Sequence, residues 1–267
     1  MCKPILSTTV LAAAALFVLG ALVPPMASAQ QPQQPQQGQQ LAPPKAYKPV
    51  PIKLPQPVAD PTFETFRKQL LSIAEKKDRA ALARLVATNF FWIAEDNKDV
   101  ADKSKSPIEN LAKAIGLDGR DPPGWDTLAG YAGETTADPM SDRQGVICGP
   151  GEPQIDDKAF EELINATQTD ATEWGYPVGE GIEVRSGAEK TAPVSEKLGL
   201  YLVRAYPDET PEGAVHNEVI RIVTPSGKLG FIPIDSLLPI ATDQLCYSKE
   251  GNAWRIAGVI GGGTPGQ

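Results

Sequence analysis

The chain reads as an α+β protein: a small, mostly helical N-terminal domain over residues 61–145, then a small antiparallel β-barrel over residues 146–260 with a helix at its start. Two patterns predict this. Between residues 61 and 135, apolar side chains recur at helical spacing behind recognisable helix starts. Between residues 182 and 238, the pattern changes to short apolar strands bounded by Gly, Pro, Ser or Asp, as in a small barrel.

The 267 residues divide further by composition. Residues 1–29 hold Lys3, an apolar run over residues 10–22 and the ending Ala27-Ser28-Ala29, the layout of a cleaved signal peptide. Export to the periplasm or beyond is therefore expected. Cys2 precedes the apolar run, so it is not placed as a lipoprotein cysteine. No second apolar run approaches the ~20 residues that a membrane span needs. Residues 30–60 are rich in Gln and Pro; proline removes backbone donors and glutamine buries little, so an extended, solvated tether is expected.

Asp60-Pro61 has the form of an N-cap followed by proline at the first helical position, and Phe63, Phe66, Leu70 and Ile73 share one face of the helix it opens. Asp78 starts a second helix with Leu82 and Leu85. Phe90-Phe91-Trp92-Ile93 reads as a short buried strand, and Ser106-Pro107-Ile108-Glu109 as a capping box. Asp121-Pro122-Pro123-Gly124 makes a turn before a last short helix with Trp125, Leu128 and Tyr131. Asp156 or Asp157 caps a further helix carrying Ala159, Phe160, Leu163 and Ile164. At the other end, residues 244–247 and 254–259 form a terminal hairpin around Lys249-Glu250-Gly251-Asn252, and residues 261–267 a frayed tail.

The strand region carries a resemblance. Val184-Arg185 opens it, Pro225-Ser226-Gly227 makes a turn, and Gly230-Phe231-Ile232 leads into the short apolar turn Ser236-Leu237-Leu238. This order resembles a bacterial SH3-like domain and covers roughly the last third of the chain. The resemblance implies an SH3-like barrel, and with it an envelope protein that recognises a peptide or a cell-wall component.

Composition narrows the functions. Without Lys3 the chain has 24 basic and 33 acidic residues, a net charge of −9, and no basic stripe, so a nucleic-acid partner is not expected. Cys148 and Cys246 remain after leader removal and read as one disulfide clamping the ends of the barrel region; closing ~100 residues is worth roughly 4–5 kcal/mol in the chain-entropy view.

A catalytic thiol would need the single histidine, His216, which lies in a polar loop. One histidine also argues against histidine-based metal sites and a Ser-His-Asp triad, and the glycines at 261–263 lack the helix of a phosphate loop. No metal or cofactor is called for. Asp156-Asp157 and Glu161-Glu162 are the carboxylate pairs a hydrolase could use, yet adjacent helical residues point about 100° apart.

Recognition remains, without catalysis. Aromatic side chains near barrel loops are the natural contacts, which nominates Trp174, Tyr176, Tyr201 and Tyr206, whereas Trp254 alternates with Ile256 as core would. The cluster Phe90-Phe91-Trp92 is either core or the pocket of a small apolar ligand.

Overall fold

A computed structural model of the chain describes residues 42–94, 98–118, 123–206 and 218–262. The expected leader, the first part of the expected tether, the turn residues Asp121 and Pro122, His216 and most of the tail lie outside the described residues.

Helix starts follow the local chemistry. Asp60 accepts from the amide of Thr62 at 2.8 Å and opens α1 (Pro61–Glu75); Asp78 accepts from Ala81 at 2.9 Å and opens α2 (Arg79–Ala83). Ser106 precedes α3 (Pro107–Ala114), and the Glu109 carboxylate reaches back to the Ser106 amide at 2.9 Å. α4 (Gly124–Gly133) completes this group. Further along, Asp156 caps α5 (Asp157–Thr167) by accepting from Ala159.

These helices do not form a domain of their own. Strand β1 (Val86–Ile93) pairs in parallel with β12 (Ala253–Ile260), whose hairpin partner β11 (Gln244–Glu250) pairs with β3 (Val146–Gly149), and that strand pairs with β2 (Asp138–Pro139). The five-stranded sheet therefore runs β1-β12-β11-β3-β2 and joins the two ends of the described chain.

The helices cover one face of this sheet. Phe63 packs against Tyr247 and Trp254, with ring centroids at 5.0 and 4.9 Å, and Phe66, Leu70, Leu111 and Leu128 extend the same core. Side chains alternate across a strand. Accordingly Phe90 and Trp92 enter this core while Phe91 lies on the opposite face with Cys148, Cys246 and Ala257. There the Phe91 ring covers Gly258, where a Cβ would come within 2.5 Å of it; only glycine admits the ring.

A second sheet is formed by β4 (Trp174–Pro177), β5 (Glu183–Arg185), β6 (Val194–Lys197), β7 (Val203–Ala205), β8 (Val219–Val223), β9 (Leu229–Pro233) and β10 (Leu237–Pro239). Its order is β10-β4-β7-β8-β9-β5-β6, all antiparallel. Leu237 at one edge packs on the cluster of Val184, Leu198, Val203, Ile222 and Ile232, so the sheet curls. Its edge strands β10 and β6 nevertheless remain unpaired with each other, and the sheet stays open.

The expected fold class is thus corrected. Among the described residues the chain is mostly β, with twelve strands in two sheets, five short helices and no closed barrel. The hairpin expected to end the barrel carries Tyr247, Trp254 and Ile256, an apolar face too large for a small barrel to cover and matched by α1 and α3. Cys148 and Cys246 do form a disulfide, but between directly paired residues of neighbouring strands β3 and β11 rather than across the ends of a barrel.

From Ala42 onward, the stretch expected to be solvated is packed. Tyr47, Val50 and Ile52 are buried against Trp174, Leu202 and Val223, and the backbone bonds to Leu200, Leu202 and Pro225 on the second sheet and to Gln154. Arg204, 2% exposed, secures the start of this strap. It donates to Glu173 at 2.6 and 2.9 Å and to the carbonyls of Ala42 and Pro43 at 2.7 and 3.3 Å. Proline's missing donor costs nothing here, because the strap offers carbonyls to Arg204.

Two predictions follow from these contacts. Arg204→Met leaves Glu173 without its partner and is expected to cost about 3–5 kcal/mol in urea unfolding, with partial recovery in Arg204→Met/Glu173→Gln; a single variant as stable as wild type would refute the anchoring role. At Asp60, donation by Lys249 and Thr62 holds the carboxyl well below the usual carboxylate range. A depressed folded value contributes stability above about pH 4, the unfolded range, and loses it as pH falls toward the folded value. Asp60→Ala should therefore flatten the acid limb of an unfolding midpoint measured from pH 5 to pH 2, and an unchanged limb would contradict the pairing.

Candidate functional site

The second sheet separates the nominated aromatics rather than gathering them. Trp174 is 2% exposed, its indole donates to Thr169 at 2.8 Å, and its ring meets Tyr47 edge-on at 5.0 Å. Tyr176 is buried in the same cluster under the strap. Both are framework, since the strap covers the face they occupy. Tyr201 is half-buried, forms a bridge with Pro51 of the strap and packs against the opposite cluster. Tyr206 is half-buried between the guanidinium groups of Arg204 and Arg221, at 5.1 and 4.9 Å from its ring. Its two cations hold it in the wall of the sheet. Trp254 is buried under α1 and donates to the Thr62 hydroxyl.

A different aromatic faces outward. Along β9, Gly230 and Ile232 are buried while Leu229 and Pro233 are exposed and Phe231 is half-buried, the alternation of a sheet with one covered face. Gly230 is required because a Cβ there would come within 2.2 Å of Val184 on β5. That close approach turns Phe231 away from the core, opposite Arg185 where β5 pairs with β9.

Beside this junction lies an open groove of about 640 Å³, within the size range of ligand sites. Phe231, Pro233, Val219 and Ile234, the last 50% exposed, form its apolar lining. Its rim carries charge: Arg185 pairs with Glu183 at 2.8 Å, and Lys190 with Glu218 at 2.7 Å. The second pair holds Glu218 below and Lys190 above their ordinary values. Both pairs are exposed and hence individually weak, so a charged ligand group can exchange with them at little cost.

Sequence reasoning missed this groove by choosing aromatics for their nearness to loops. The available signal was the alternation itself: Gly230 and Ile232 inward place Phe231 outward, and an outward aromatic beside Arg185 is the less ordinary arrangement.

The other sequence candidates are dispersed. Phe90 and Trp92 belong to the core under α1 and α3 while Phe91 lies on the opposite face of β1, so the three aromatics at 90–92 do not share one face. Asp156 is occupied as a helix cap, and Asp157, Glu161 and Glu162 are exposed along α5. Among the described residues, no group of three His, Cys, Asp or Glu side chains could hold a metal ion, and no helix is long and apolar enough to cross a membrane.

No family model matches this chain, and neither does any curated protein or solved structure compared with it.

The two kinds of aromatic should separate on substitution. Trp174→Ala opens a cavity among Tyr47, Leu163 and Leu202 and is expected to cost about 3–5 kcal/mol. Phe231→Ser should change stability by less than about 1 kcal/mol. Urea unfolding of both variants checks this, and the reverse order would mean that Trp174, not Phe231, faces the ligand side.

Proposed function

We propose that the chain is an exported, non-catalytic binding protein of the bacterial envelope. Its groove beside Phe231 takes a peptide, presented by an envelope protein or derived from peptidoglycan. The observation that carries this reading is an outward aromatic on an apolar floor, bordered by weakly held charges, in a groove of ligand size. Apolar side chains of an extended peptide fit the floor, and its carboxylates fit Arg185 and Lys190.

Two further features support the reading. Arg185 and Phe231 belong to the motif order that resembles bacterial SH3-like modules, and both line the groove. The leader pattern and the disulfide support a periplasmic or secreted location, since disulfides persist in oxidising compartments. The acidic balance of the chain speaks against nucleic acid as the ligand.

Co-sedimentation of residues 30–267 with purified peptidoglycan sacculi, and titration with soluble stem peptides released from them, tests the proposal. Wild type should bind, and Phe231→Ser/Ile234→Ser should weaken binding at least tenfold while staying folded, about 1.4 kcal/mol or more. A peptide carried by an envelope protein would instead appear as saturable binding to solubilised envelope proteins, lost in the same variant. Absence of wild-type binding to all three, or equal binding by the variant, rules the groove out.

A further inference from the structure

A second cleft, of about 400 Å³, opens on the five-stranded sheet beside Phe91, well away in sequence from the groove. It has a different chemistry. The turn between β2 and β3 carries Arg143, whose guanidinium lies 4.1 Å from the centroid of the Phe91 ring. Such stacking fixes the plane of the fork without using its donors. The fork is weakly engaged: Nη2 reaches Asp99 only at 3.9 Å, and the buried Nε has no hydrogen-bond partner. The disulfide holds the strand that follows this turn, since Cys148 lies on β3.

Across the cleft, a loop presents two more cations, Lys103 and Lys105. The loop is tied down from within. Asn110 accepts from the Asp102 amide at 2.7 Å and donates to the carbonyls of Asp102 and Ser106. Its carboxylates are tied in part to the backbone, while Asp99 Oδ2 faces Lys103 and Arg143. Asp99 accepts from the amides of Trp92 and Ala101, both at 3.1 Å, and Asp102 accepts from the amide and hydroxyl of Ser104. The lysines, in contrast, make only long contacts, Lys103 to Asp99 at 3.4 Å and Lys105 to Glu109 at 3.9 Å. At this cleft three cations, Arg143, Lys103 and Lys105, share only long contacts with the carboxylates of Asp99 and Glu109.

We infer that this cleft is an oxyanion-binding site, built to take the carboxylate or phosphate group of a small ligand between the Phe91-stacked guanidinium of Arg143 and the lysines at 103 and 105. A carboxylate or phosphate replaces contacts of 3.4–3.9 Å by charge-assisted bonds of about 2.7–2.9 Å. The inference is independent of the groove beside Phe231, because no residue is shared between the two.

The test is a ¹H–¹⁵N NMR titration of residues 30–267, which include all the described residues, following the Arg143 side-chain Nε–H and the amides of Lys105 and Asn110. Citrate and inorganic phosphate are the two probes, at constant ionic strength. The expected result is a saturable shift for at least one probe, with a Kd near or below about 1 mM. Whichever anion binds tighter identifies the ligand group as carboxylate or phosphate. Arg143→Lys keeps the charge but loses the planar fork, and should weaken binding at least tenfold. Lys103→Gln/Lys105→Gln alters only exposed side chains and should weaken it several-fold even if the Arg143 variant fails to fold. Shifts that stay linear for both probes, or variants that titrate as wild type does, overturn the inference.

Discussion

The placement of β12 between β1 and β11 is the constraint on which the architecture depends. This strand arrives at the end of the chain and pairs in parallel with one formed near its beginning, so neither half of the described chain can complete its core alone. The reason is the hydrophobic demand of the hairpin. Leu245, Tyr247, Trp254, Ile256 and Val259 all point to one face, and α1, α3 and α4 supply matching apolar surface. Burial of that face is worth far more than the preference of neighbouring strands to pair with each other, because each large side chain contributes roughly 1.5–3 kcal/mol on leaving water.

With the hairpin committed to the first sheet, the second sheet lacks strands to close and compensates on its outer face. The strap of residues 42–58 and α5 cover that face through Tyr47, Val50, Ile52 and Leu163. Arg204 then acts as a fastener: its buried guanidinium donates to the strap carbonyls of Ala42 and Pro43. The same packing decides where ligand chemistry can occur. The strap claims Trp174 and Tyr176, the paired cations claim Tyr206, and the accessible aromatic surface shifts to Phe231, farther along the same face of the sheet.

The two clefts differ because their linings have different obligations. Beside Phe231, the floor is apolar and the rim charges are already paired, which suits a ligand whose side chains bury apolar surface. Beside Phe91, three cations are held only by long contacts to carboxylates, which suits an anion. The two chemistries do not conflict because they lie on different sheets, and in the first of these Phe91 looks away from the core that Phe90 and Trp92 enter.

Local chemistry read along the chain was sufficient for the helix starts at Asp60, Asp78, Ser106 and Asp156, for the terminal hairpin, and for the pairing of Cys148 with Cys246. Each depends on groups within a few residues of one another, or on there being a single possible partner. It could not assign the hairpin to a sheet, because the alternation in Trp254 and Ile256 says that one face is buried but not what buries it. Nor could it show that Tyr47, Val50 and Ile52 lift a Pro-rich segment out of solvent, since that requires a groove built more than a hundred residues later. Which aromatics are wet follows from the same long-range packing: Trp174 and Phe231 both sit in short strands beside loops on one face of the sheet, and only the strap laid over Trp174 distinguishes them.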